Sequence, residues 1–145
     1  MRAWGLCAAA MTVAAAAQAA DFSVVEASIP QMQAALKDGR VTSHELVAQS
    51  LARIAMYENV VNPTLAVNKQ ALAEADALDK ERAARKVRGP LHGIPIAIKD
   101  NIHTTTMPTT AGSLAFSGLI PPYEATLVTN LRAAGAIIIA KTVLT

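Results

Sequence analysis

The sequence predicts an α/β fold in which amino-terminal helices precede the start of a mixed sheet flanked by helices. Apolar residues recur at helical spacing through the first half of the chain beyond residue 20. Two short apolar runs follow, at residues 94–98 and 136–140, and a helical segment separates them. A strand, a helix and a second strand in this order form a crossover unit, which makes the two strands parallel neighbours in one sheet.

The first 20 residues predict a cleavable signal peptide rather than a part of the fold. Ten of them are alanine, and Arg2 supplies the positive charge ahead of an apolar stretch at residues 6–17. The small residues of the AQA segment form a cleavage site, so the cut is expected after Ala19 or Ala20 and the protein is expected to be periplasmic or secreted. The alternative, an uncleaved membrane anchor, is disfavoured because the stretch is shorter than the roughly 20 residues that a bilayer requires.

Charge and cysteine content exclude several functional classes. The formal net charge is only +2, so no basic surface for nucleic acid or for an anionic membrane is predicted. The single cysteine, Cys7, lies inside the predicted signal peptide. A disulfide framework and a cysteine-based metal site or nucleophile are therefore not expected in the folded part. The oligomeric state stays open.

Capping signals define the first two predicted helices. Ser28 precedes a short helix over residues 30–37, with Gly39 just beyond its end. Thr42 and Glu45 have the spacing of a capping box, which opens a second helix running to about Tyr57. The expected core-facing residues are those at helical spacing: Met32, Ala35 and Leu36 in the first helix, and Val47, Leu51, Ile54 and Ala55 in the second.

A third helix is predicted over residues 69–86, after a loop through Asn62 and Pro63. Its many charged side chains are typical of a solvated surface. The strand at 94–98 comes next, with Pro95 near its start, where a missing amide donor is tolerated. Residues 102–123 are rich in threonine, glycine and proline and predict a long irregular connection.

The last two elements are a helix over residues 124–134 and the strand at 136–140. Gly135 stands where a left-handed residue ends the helix. The strand is apolar on both faces, which is typical of a central strand covered by helices on both sides. The helix is expected to bury Leu127, Val128 and Leu131.

Lys99 is the candidate catalytic residue because it ends the first predicted strand. Ligands of open α/β sheets bind beyond the carboxyl ends of the strands. A partly desolvated lysine there can take a proton from a hydroxyl nucleophile. The alternative is a lysine that extends its amine to solvent and pairs with Asp100. Position alone leaves both interpretations open.

The motif around Lys99 resembles a known enzyme family. The stretch GPLHGIPIAIKDNIHTTTMPTTAGSLAF, residues 89–116, is similar to the amino-terminal part of the amidase signature family of serine amidohydrolases. Flanking segments extend the resemblance over about residues 30–145. It implies the amidase signature fold, of which residues 21–145 would be the amino-terminal part of a single, truncated domain.

The resemblance implies an exported amidase that hydrolyses a carboxylic amide C–N bond by a Ser-cis-Ser-Lys mechanism. Lys99 matches the terminal base of the triad, and Asp100 and Asn101 would orient it from a second layer. The two serines of the family lie in a glycine-rich segment beyond this stretch, and the chain has no Gly-Gly pair. Ser113 is interpreted as scaffold, so residues 21–145 alone are expected to be inert. The substrate would be a small-molecule or peptide amide, with no metal and no cofactor.

Two other functions remain open. One is a catalytically inactive amidase-like remnant or exported binding domain. The other is the amidotransferase subunit for transfer-RNA charging, which has a similar lysine motif but works in the cytoplasm, contrary to the predicted export. A metal site at His44, His92 or His103 is not expected, because no carboxylate or cysteine stands at metal-binding spacing.

Overall fold

The computed structural model of the protein describes residues 22–144 and confirms the predicted α/β fold. The predicted signal peptide, with Arg2 and Cys7, lies outside the described residues. The elements in chain order are α1 Ile29–Lys37, α2 Ser43–Val61, β1 Thr64–Val67, α3 Ala71–Ala83, β2 Pro95–Lys99, a 3-10 turn Leu114–Phe116, α4 Thr126–Ala133 and β3 Ile137–Thr142. No helix within residues 22–144 is both long and apolar enough to cross a membrane.

Helices α1 and α2 begin as their capping signals predict. The Gln31 side chain accepts the backbone N–H of Ser28 at 2.7 Å, and α1 buries the three residues expected to face the core. At α2, Thr42 Oγ1 accepts the N–H of Glu45 at 3.1 Å while Glu45 accepts the N–H of Thr42 at 2.7 Å. These reciprocal bonds satisfy two amides that a helix start leaves without a partner.

Two predictions for α2 were wrong in detail. The helix continues past Tyr57 to Val61, because no glycine or proline occurs in it before Asn62, which adopts a left-handed conformation with φ of 45° ahead of Pro63. Ala55 is exposed rather than buried, whereas Ile54 packs against the core. Adjacent residues of a helix lie about 100° apart around its axis. The buried side of α2 contains Ile54, so Ala55 is turned away from the core.

Strand β1 and the late start of α3 were not predicted. Residues expected to form a loop instead pair antiparallel with β3, with Thr64 opposite Thr142 and Val67 opposite Ala140. Asn68 then donates its backbone N–H to Ile139 O and its side-chain amide to Ile138 O, both within 2.9 Å. Because these bonds hold residues 68–70 in a turn against β3, α3 begins at Ala71 rather than near residue 69.

The sheet has the order β1-β3-β2, and β2 is parallel to β3 as the crossover unit predicts. Central strand β3 extends two residues beyond its predicted end at Ala140. Helices α2 and α3 pack against Ile137 and Ile139 on one face, while α4 packs against Ile138 on the other. The central position of β3 explains why its isoleucines are all buried.

Helix α4 is shorter than predicted and buries fewer residues. It spans Thr126–Ala133 and buries Val128 completely, while Leu131 is partly buried. Leu127, expected to face inward, is 51% exposed. It lies about 100° around the axis from Val128, which is the residue that contacts the sheet.

Candidate active site

Lys99 is the last residue of β2, at the carboxyl end of a parallel strand pair. It lies opposite Thr142 of β3, and its side chain is partly exposed. Ile98 packs beside Val128 of α4, so Lys99, the next residue along the strand, points to the other face of the sheet, the side of α2 and α3. This is the strand end at which ligands of such sheets bind.

The backbone on either side of Lys99 is held in place. The Lys99 carbonyl accepts the N–H of Ile102 at 3.0 Å, which closes a tight turn. The next amide, that of Asp100, donates to Thr142 O at 3.0 Å and so extends the contact with β3 beyond the strand itself. These bonds restrict the direction in which Lys99 leaves the sheet.

An open apolar depression lies on the same face as Lys99. It is lined by Met32 of α1, Ile54 of α2, Pro95 and Ala97 of β2, and Ile139 of β3, among others. Ala97 precedes Lys99 by two residues, and residues two apart in a strand share a face. Lys99 therefore stands at the end of an apolar surface that is open in residues 22–144.

Asp100 is almost completely buried and binds the loop that follows β2. Its Oδ2 accepts the backbone N–H of Thr110 at 2.9 Å and the Thr110 hydroxyl at 2.5 Å. Its Oδ1 lies 3.2 Å from the ammonium of Lys141 on β3. Burial by itself raises the pKa of the Asp100 carboxyl group, but the bonds from Thr110 and the Lys141 charge together lower that pKa below its usual range.

Lys141 completes this cluster and was not predicted. It is fully buried, and its Nζ donates to Thr109 Oγ1 at 2.7 Å and to Pro108 O at 3.2 Å. Burial lowers the pKa of Lys141, and the Asp100 carboxylate offsets that effect only in part. A charged residue directly after five consecutive apolar residues of a central strand is the signal that could have identified it.

The other residues considered for the site differ in their exposure and contacts. Asn101 lies in the turn after β2 with an exposed side chain that makes no hydrogen bond to another residue between 22 and 144. Ser113 Oγ accepts the N–H of Ala115 at 3.3 Å and so begins the 3-10 turn. Thr104 and Thr109, in the connection after β2, are buried rather than solvated.

Each of the three histidines contacts different residues. His44 Nδ1 is 2.7 Å from an Asp76 carboxylate oxygen. His92 is buried, with Nε2 at 2.9 Å from Leu78 O and Nδ1 accepting the N–H of Arg88 at 3.2 Å. His103 packs against the ring of Tyr123. Across residues 22–144, no three histidine, cysteine or carboxylate side chains form a cluster suited to a metal ion.

The sequence of the chain is similar to a family of known proteins. Residues 45–145 match the family model described as Amidase. The chain is 45% identical over 108 residues to a glutamyl-tRNA(Gln) amidotransferase subunit of Rhodopirellula baltica. That match covers 74% of this chain and 22% of the relative, so the chain spans less than a quarter of the relative's length.

Solved structures show the same similarity. The fold matches the native peptide amidase of Stenotrophomonas maltophilia with a TM-score of 0.77 and 41% identity, over 81% of this chain and 24% of that one. It also matches an amidase family protein of Bacillus anthracis with a TM-score of 0.77 and 33% identity, over 82% and 24% of the respective chains. The family model covers more than two thirds of the chain, and the chain therefore belongs to the amidase family.

Proposed function

We propose that this protein takes part in the hydrolysis of a carboxylic amide C–N bond, with Lys99 as the base that acts on a serine nucleophile. The observation that carries the proposal is the position of Lys99. It ends a parallel strand, leaves the sheet on the face that holds the open depression and lies in the segment that matches the family. Amide hydrolysis agrees with the peptide amidase among the similar structures.

Lys99 would serve the reaction by moving a proton. A neutral amine takes the hydroxyl proton of the bridging serine, which takes that of the nucleophilic serine as the nucleophile attacks the amide carbonyl, and the same relay returns a proton to the leaving nitrogen. Water then releases the acyl group from the enzyme. The flexible stem of lysine allows the same nitrogen to carry out both transfers. The two serines are proposed to lie outside residues 21–145, in a larger domain that begins with this segment.

The proposal extends to the location of the protein. The support lies in the first 20 residues, which combine Arg2, an apolar stretch and a small-residue cleavage site. Export would place the enzyme in the periplasm or outside the cell, where small-molecule or peptide amides would be its substrates. Mass spectrometry of the mature amino terminus tests this directly, and an intact Met1 in the exported fraction would contradict cleavage.

The activity is tested on the protein expressed from its complete reading frame. Ammonia release from carboxyl-terminally amidated peptides is measured for the wild type, for Lys99→Ala and for the matched control Lys80→Ala, whose lysine is exposed on α3. Loss of general-base function is expected to lower kcat by about 100-fold or more in Lys99→Ala and to leave the control unchanged. Equal activity of both variants and the wild type would disprove the role of Lys99.

A second candidate is the amidotransferase function carried by the Rhodopirellula baltica relative. It predicts that the protein supplies ammonia during the charging of transfer RNA rather than releasing it from simple amides. A third is an inactive remnant that retains only the scaffold. The reading frame after Thr145 separates the remnant from both enzymes, because a glycine-rich segment with two serines supports catalysis and a stop codon supports the remnant.

A further inference from the structure

We infer that the Asp100–Lys141 pair is a positioning device for Lys99, which holds the end of β2, the end of β3 and the 108–110 loop in one arrangement. The inference rests on the proposed function of Lys99 and extends the orienting role expected of Asp100 to a buried pair with Lys141, which supports Lys99 without touching substrate. Asp100 is 1% exposed and Lys141 is fully buried, so neither side chain is accessible to an amide substrate from solvent.

The side-chain hydrogen bonds of the pair all lead to the 108–110 loop, from the ends of β2 and β3. Asp100 binds Thr110 through both the amide and the hydroxyl, and Lys141 binds Thr109 and Pro108. One carboxylate and one ammonium thus connect residues that are 41 positions apart in the sequence and fasten the loop between them.

The pair lies on the face opposite to Lys99. Lys141 is in register with Ile98, whose side chain packs toward α4, whereas Lys99 is in register with Thr142. Residues in register on neighbouring strands share a face. The pair therefore influences Lys99 through the backbone, by way of the Asp100 amide bond to Thr142 O and the turn closed at Lys99 O.

Stability alone does not account for a pair of this kind. Removing two charges from water is costly, and replacement of a buried ion pair by apolar residues of similar volume is often neutral or stabilising. A catalytic side chain, however, must be held within about 0.5 Å of its productive position, and a displacement of about 1 Å lowers the rate by roughly 100-fold. The pair provides a directional constraint that apolar packing lacks.

The experiment uses the protein from its complete reading frame and replaces both charges together. Asp100→Leu and Lys141→Met are made singly and in combination, and the double variant Glu81→Leu/Arg88→Met serves as the control. The control pair is bonded through Arg88 Nε at 2.7 Å and lies on the side of His92, at the opposite end of β2. Thermal unfolding, amide hydrogen exchange and the kinetics of peptide-amide hydrolysis are measured for each variant.

The double variant Asp100→Leu/Lys141→Met is expected to unfold near the wild-type temperature, because no charge is left buried without a partner. Exchange at the amides of Ile102 and Thr110 should nevertheless rise at least about tenfold. Its kcat should fall by roughly 100-fold with little change in KM, since only the position of Lys99 is altered. The control should retain wild-type kcat and wild-type exchange at both amides.

Wild-type exchange or wild-type kcat in a folded double variant would overturn the inference. If the double variant does not fold, the isosteric Asp100→Asn variant tests the inference in its place, because it removes the ion pair but keeps an acceptor for Thr110. It should show faster exchange at Ile102 and a kcat about tenfold lower, and wild-type values of either would overturn the inference equally. A wild-type protein that hydrolyses no amide would refute the proposed function, and the exchange measurements would still decide whether the pair holds this strand end.

Discussion

The candidate site contains two lysines with different surroundings. Lys99 is partly exposed at the end of an edge strand, whereas Lys141 is fully buried in the central strand. The buried lysine lies 3.2 Å from Asp100 Oδ1 and donates to two further oxygen acceptors, and its proximity lowers the pKa of the Asp100 carboxyl group. The partly exposed Lys99 has no such partner among residues 22–144.

The lowered pKa of Asp100 predicts a loss of stability in acid. Because the pKa of the folded state lies below that of the unfolded state, the contribution is complete above the unfolded value of about 3.9 and declines as the pH falls through the folded value. The difference in unfolding free energy between wild type and Asp100→Asn should therefore be constant from about pH 7 to pH 5 and shrink below about pH 4.

Urea denaturation at several pH values measures this difference. Asp38→Asn is the matched control, because Asp38 is exposed and lies 3.8 Å from an exposed Arg40, an ion pair that contributes little. A difference between wild type and Asp100→Asn that persists unchanged to about pH 2 would contradict the prediction.

Among the elements, α1 and α2 begin at capping boxes, and two helices end in the same way. Both α1 and α4 are followed by a glycine with positive φ, 69° at Gly39 and 90° at Gly135. The surroundings differ. A Cβ at Gly39 would meet nothing within 4 Å, whereas a Cβ at Gly135 would lie 2.6 Å from the Cα of His92. The end of α4 is thus built against the turn that leads into β2.

This contrast predicts that a glycine-to-alanine substitution lowers the unfolding free energy by different amounts at the two positions. Gly39→Ala should lower the unfolding free energy by about 1–2 kcal/mol, the cost of a left-handed conformation for an L-residue. Gly135→Ala should add a further loss of about 1–3 kcal/mol, because the backbone of His92 must move. Chemical denaturation of the two variants compares them, and equal losses would show that the contact with His92 is not restrictive.

On the scale of the whole molecule, several large apolar side chains are exposed to solvent instead of packing in the core. The segment after the candidate site exposes Leu114 at 92%, Phe116 at 50% and Ile120 at 52%, and the end of α2 exposes Val60 at 79%. Large apolar side chains that are exposed close together in the chain promote association. In a larger amidase domain, the remaining chain is proposed to cover it.

Residues 22–145 expressed alone are therefore expected to self-associate. Light scattering after size-exclusion chromatography should show a mass that increases with protein concentration. Leu114→Ser combined with Phe116→Ser should reduce this effect, while Lys80→Ser, a change of an exposed polar residue, should not. A monomer at every concentration would contradict the prediction.

The starts of α1 and α2, the parallel strand pair and the position of Lys99 followed from the sequence by itself, because each depends on residues close together in the chain. The capping box of Thr42 and Glu45 spans four residues, and the apolar runs of β2 and β3 need no partner to be recognised. The resemblance to amidases depended on one continuous motif for the same reason.

The tertiary structure alone decided the features that join distant residues. Strand β1 has only four residues with no strong pattern, and it exists because its backbone pairs with β3 about 75 positions later. Lys141 is buried only because Asp100, Thr109 and Pro108 surround its ammonium. Local periodicity contains no information on such partners, since burial of a charge is favourable only once the fold has brought its counter-charge and acceptors within hydrogen-bonding distance.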